Sequence, residues 1–86
     1  MTKRKQGQHI PVSMRALVQR INRRLKADDE VLKSPRGRNA RQQLGEYFVL
    51  ELTRNAVYDT HIDPEAFGRK LGVLTDFEYV DDEEGK

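Results

Sequence analysis

The stretch that most limits how this chain can fold is Gly45 to Asp63, GEYFVLELTRNAVYDTHID, where two runs of strand formers flank a polar turn. Successive side chains of a strand point to opposite faces, so Phe48, Leu50 and Leu52 fall on one side of the first run and Tyr47, Val49 and Glu51 on the other. The turn length sets the register. A three-residue loop of Thr53, Arg54 and Asn55 puts Leu52 opposite Ala56, Leu50 opposite Tyr58, Phe48 opposite Thr60 and Glu46 opposite Ile62, which gathers most of the apolar side chains on one face. A two-residue Arg54-Asn55 loop sets Leu50 against Asp59 and Phe48 against His61 instead. Antiparallel sheets commonly bury one face and solvate the other, so the three-residue loop is the expected one. Asn55 suits its last position, which is left-handed in such loops. The face made by Phe48, Leu50, Leu52, Tyr58 and Ile62 is then expected to receive the flanking helices.

Two helices are legible on either side. Ser13 is a natural N-cap, and Met14, Leu17, Val18, Ile21 and Leu25 recur at helical spacing as one apolar stripe, with Val12 ahead of the cap as a loose hydrophobic staple. Asp28, Asp29 and Glu30 follow; their charge opposes the negative end of the helix dipole, so the helix is expected to stop near Ala27. The second helix starts at Asp63-Pro64, with Asp63 as N-cap, Pro64 in the first turn and Glu65 near the positive end of the dipole. It runs to about Leu71 with Gly72 as the left-handed residue beyond. Gly68 weakens this helix and is expected to mark close packing against a strand.

Between the first helix and the hairpin, Val31 and Leu32 read as a short third strand, because a two-stranded sheet is rarely stable alone. Ser34 to Gly45, SPRGRNARQQLG, is either a basic loop or a loop leading into a helical turn at Asn39 to Gln43. The expected class is therefore α+β: one small domain over residues 12–74, a helix followed by a two- or three-stranded antiparallel sheet and a short C-terminal helix (αββα or αβββα). A disordered basic arm, residues 1–11, precedes it and an acidic tail, residues 75–86, follows; the alternation of Phe77, Tyr79 and Val80 would also suit an added edge strand.

Eighty-six residues with 36% apolar content and a mean hydropathy of −0.85 give a marginal core, for which dimerisation is an ordinary remedy. There are no cysteines, which removes disulfides, thiolate chemistry and cysteine zinc sites together. No apolar run approaches the roughly 20 residues that span a bilayer, and no apolar segment of a signal peptide follows Lys3-Arg4-Lys5. The expected location is the cytoplasm.

The net charge of +2 hides a strong asymmetry. Met1 to Leu44 carries 12 Lys and Arg against 3 Asp and Glu, a net of +9, whereas Gly45 to Lys86 carries 4 against 11, a net of −7. A basic half of this kind points either to contact with a polyanion or to neutralisation by the acidic half, within one chain or across a dimer. The cations fall in three groups: Lys3, Arg4 and Lys5 in the arm; Arg15, Arg20, Arg23 and Arg24 on the first helix; and Arg36, Arg38 and Arg41 in the segment before the hairpin. Arms and Arg-rich segments of this kind neutralise phosphates, and Asn, Gln and Arg also read base edges. The same residues can instead be a solubilising terminus, a solvated helix face whose Arg stems cover apolar neighbours, and a polar strand connection.

Asp59, His61 and Asp63 alternate and would converge on a cation if the strand continued through them, yet Asp63 is better used as an N-cap, so no metal is expected. Catalysis needs several such groups around a pocket, for which the chain has little room, and no Gly-rich phosphate loop is present; neither an enzyme nor a cofactor is expected. Two functions follow: a small non-enzymatic nucleic-acid-binding protein, for DNA or RNA, or a protein-interaction module whose hairpin edge and acidic tail serve self-association, as a homodimer, or docking to a protein partner.

Overall fold

Ser13 begins the first helix as its side chain dictates: its hydroxyl oxygen accepts the Ala16 amide at 3.1 Å. In the computed structural model, which describes residues 10–81, a short strand β1 (Ile10–Val12) leads into helix α1 (Met14–Leu25). A 3-10 turn (Lys26–Asp28) then ends at Asp29, whose left-handed φ of 58° reverses the chain. Leu17 and Ile21 are wholly removed from solvent, and Leu25 nearly so. Burying a side chain of this size stabilises by roughly 1.5–3 kcal/mol, so this stripe is the largest local contribution to the core.

Strand β2 (Glu30–Lys33) lies against α1, and β3 (Phe48–Glu51) and β4 (Ala56–Asp59) follow it in an antiparallel sheet of order β2-β3-β4. The third strand, the hairpin and the later helix are all present, and the α+β class is as expected. Between β2 and β3, helix α2 (Arg38–Leu44) occupies the segment left open between loop and helical turn. It is bracketed by Gly37 and Gly45, with φ of 88° and 83°. Gly45 also lies so close to the hairpin's second leg that a Cβ there would sit 2.7 Å from the Cα of His61, whose amide donates to the Leu44 carbonyl at 2.8 Å.

The hairpin register differs from the expected one near the turn. Glu51 pairs with Ala56 and Leu50 with Val57, so the loop has four residues, Leu52 to Asn55, not three. Leu52 donates its amide to the carbonyl of Asp29, just ahead of β2, at 2.8 Å, and its own carbonyl accepts the Asn55 amide at 3.3 Å, which closes the turn across it. A bulge at Tyr58 then shifts the register, and Val49 pairs with Asp59, the partner that the three-residue loop requires. Asn55 is left-handed as anticipated, with φ of 54°.

The buried face is corrected too. Leu32 pairs with Val49, and these two side chains join the α1 stripe in one core with Val12 and Leu74. Tyr47 packs at its margin, whereas Leu52 and Tyr58, expected inside, are 52% and 68% exposed. Directly paired side chains share a face, so the register of β2 on β3, rather than the apolar count along the hairpin, decides which side meets α1. Phe48 is buried away from this main cluster.

Helix α3 (Pro64–Leu71) has the caps its sequence announces: Asp63 accepts the Glu65 amide at 3.2 Å, and Gly72 is left-handed at φ 81°. Gly68 marks close packing as expected, but against α1, not a strand; a Cβ there would lie 2.8 Å from Cδ1 of Leu17. Residues expected in the arm and the tail form a second, parallel pair, β1 with β5 (Glu78–Val80), in which Ile10 faces Glu78 and Val12 faces Val80. Among the described residues, no helix is long and apolar enough to cross a membrane.

Asn22 joins α1 to the sheet: its Oδ1 accepts the Leu32 amide at 2.7 Å, and its Nδ2 donates to the Leu32 carbonyl at 3.4 Å. Removing one partner leaves the strand groups of Leu32 half-buried and unpaired, which costs about 1–3 kcal/mol. Asn22→Ala is expected to lower stability by that amount in urea denaturation, while Gln19→Ala, on the exposed face of the same helix, stays within about 0.5 kcal/mol.

Candidate functional site

The basic residues of the first half divide into those the fold uses and those it leaves in solvent. Arg20 belongs to the first kind: Nη1 donates to the Val73 carbonyl and to Glu78 Oε1, each at 3.0 Å. Its place on the flank of α1 that faces α3 makes this reach short. Glu78 also accepts the Thr75 amide at 2.9 Å, and its carbonyl accepts Arg69 Nη2 at 2.8 Å while Arg69 Nη1 pairs with Glu65 at 3.1 Å. Glu78 is thus the centre of a clasp that holds β5 on the two helices. No sequence signal marked it, because one acid in an acidic tail looks like the rest.

Arg15, Arg23 and Arg24 on α1, Arg36 ahead of α2, and Arg38 and Arg41 on α2 are all exposed and make no hydrogen bond or ion pair with any described residue. Arg23 and Arg24 lie one turn beyond Arg20, and the three line an open, shallow concavity of about 500 Å³ with Val73. Arg38 and Arg41 are three apart on α2 and so share a side of that helix, with Gln42 next to them. Lys3, Arg4 and Lys5 lie outside the described residues. The sequence therefore locates the exposed cations, but it does not distinguish Arg20 from its neighbours, since the partner that engages it is 58 residues away.

The Asp59, His61, Asp63 alternation does not survive folding. The strand ends at Asp59, His61 turns left-handed with φ of 55° and bonds Thr60 Oγ1 through Nδ1 at 3.0 Å, and Asp63 caps α3. Among the described residues no three His, Asp or Glu side chains are grouped to hold a metal. His61 instead borders a shallow hollow of about 450 Å³ with Met14, Glu46 and Tyr47.

At the opposite end of the sheet Glu30 stands directly across from Glu51. Partial burial, with Asp28 and Glu51 nearby, pushes the Glu30 carboxyl above its ordinary value. Glu78 moves the other way: its hydrogen bond from Arg20, then that from Thr75, hold its carboxyl below the ordinary value. Comparison with protein-family models, with curated proteins and with solved structures finds no match for this chain.

The two carboxyls carry opposite linkage. For Glu78, whose folded value is depressed, stability is present above the unfolded value near 4.5 and is lost as pH falls through the folded value; for Glu30, whose folded value is raised, the ionised form is the strained one and protonation relieves it. Glu78→Gln is expected to destabilise at neutral pH, with the deficit shrinking on acidification, and Glu30→Gln to stabilise at neutral pH, with the gain shrinking likewise. Thermal melts of the two variants and the parent between pH 3 and pH 7 check both signs.

Proposed function

We propose that the protein is a small, non-enzymatic nucleic-acid-binding protein of the cytoplasm that grips phosphates with its basic first half. The observation that carries this reading is the set of six arginines, Arg15, Arg23, Arg24, Arg36, Arg38 and Arg41, left exposed and unpaired among the described residues. Three acids are engaged with other cations: Glu65 and Glu78 hold Arg69 and Arg20, and Glu51 lies 3.9 Å from Arg54. An unpaired guanidinium suits phosphate well, because its planar donors match two phosphate oxygens at once. Within the set, Arg38 and Arg41 sit on one side of α2 beside Gln42, so that helix also offers groups able to meet base edges. Arg20, committed to β5, positions the concavity in which Arg23 and Arg24 lie. Lys3, Arg4 and Lys5 add a further phosphate-binding segment to the same half.

Binding is expected to fall steeply with salt, as counterions are released from the polyanion. Fluorescence anisotropy with labelled duplex DNA, single-stranded DNA and RNA at several salt concentrations reads the slope of log affinity against log salt. Replacing Arg36, Arg38 and Arg41 together by Ala flattens that slope by about one unit for each phosphate that the variant no longer neutralises. Arg20→Ala, in contrast, acts mainly on stability. Absence of detectable binding to all three probes at low salt overturns the proposal.

A further inference from the structure

The three-stranded sheet ends in an open edge. All four residues of β4 are exposed, Val57 at 46% and Tyr58 at 68%, and among the described residues no strand pairs with its outer side. Because the Leu52 amide bonds to Asp29, on the β2 side of β3, alternation turns Leu50 toward β2 and Glu51 toward β4. Ala56, the partner of Glu51, therefore bonds inward, and the main-chain groups of Val57 point to the open side. Val57 also ends an apolar row, Val31, Leu50 and Val57, on the sheet face away from α1.

We propose that β4 pairs antiparallel with β4 of a second copy about a two-fold axis through Val57, giving a continuous six-stranded sheet. The strand is self-complementary for this. A two-fold axis normal to a sheet needs one residue to face itself, and Val57 has its main-chain groups available and an apolar side chain for the contact. Charge follows the same symmetry: Arg54 precedes Val57 and Asp59 follows it. In the pairing the Arg54-Asn55 corner of each copy's turn lies beside the second copy's Asp59, so a cation and a carboxylate meet at both ends of the junction. Asp59 has no cation partner within its own chain among the described residues, and Arg54 has only a 3.9 Å approach to Glu51. A parallel or offset pairing would instead set like charges together or leave Val57 in water. The apolar row becomes six residues long, with Val57 meeting its copy at the centre.

The chain lacks cysteine, so Val57→Cys introduces a single thiol at the axis. Self-facing residues of a hydrogen-bonded antiparallel pair have Cα atoms about 5.5 Å apart, within the separation that a disulfide spans. The full chain is expected to sediment as a dimer at the upper end of a concentration series. Mild oxidation is expected to convert Val57→Cys to a covalent dimer, while Gln42→Cys, equally exposed on α2, crosslinks only slowly. Val57→Lys, which sets two ammonium groups face to face, is expected to weaken dimerisation at least about tenfold with an unchanged circular dichroism spectrum. A chain that stays monomeric throughout the series overturns the proposal, as does a dimer in which Val57→Cys crosslinks no faster than Gln42→Cys. Neither outcome bears on nucleic-acid binding, whose residues lie elsewhere.

Discussion

The fold depends on one buried helical stripe. Leu17, Ile21 and Leu25 of α1 have no exposed alternative, and each neighbouring element reaches them by a different device. β2 is tied to α1 by the Asn22 side chain and delivers Leu32; β3 delivers Val49 through its pairing with Leu32; α3 approaches because Gly68 has no side chain. With so little apolar content, the chain gathers its fully buried side chains, Phe48 apart, in one cluster, since each small satellite would cost ordering entropy with little burial to offset it. The outer sheet face and β4 are left with what remains.

How much of this was legible follows from the range of each signal. Caps are local chemistry, so Ser13, Asp63, Pro64 and Gly72 identify both helix starts and one helix end without reference to anything distant. The left-handed Asn55 is legible for the same reason. The buried hairpin face was not, because apolar side chains stand on both sides of that strand and the choice lies with Leu32, a residue 17 positions earlier in the chain. Likewise the clasp at Glu78 depends on Arg20 and Arg69, and nothing near Glu78 in the sequence hints at either. The candidate site divides in the same way: that the basic residues cluster is a matter of composition, whereas which of them remain unpaired is a matter of tertiary structure.

Charge is segregated in the fold by use as well as by sequence. The acidic half commits several of its carboxylates to structure, with Asp63 on a helix cap and Glu65 and Glu78 on arginines. Of the basic half, only Arg20 is drawn into an ion pair among the described residues. Among the described residues an ion pair joins the two halves at one narrow seam between α1 and β5. Glu30 and Glu51, set face to face at the far end of the sheet, add local repulsion that the core must overcome.

The parallel pairing of β1 with β5 gives the domain a property that no local element has. Ile10 and Glu78 are partners separated by almost the whole described chain, so closing that pair requires the helices and the sheet to be in place already, or else carries the full entropy of one long loop. During synthesis the pair cannot form until β5, the last strand in the described chain, has emerged from the ribosome. The chain's two ends thus close at the seam where Arg20 grips Glu78, and the arginine that looks like one more member of a basic face acts as the latch that holds them together.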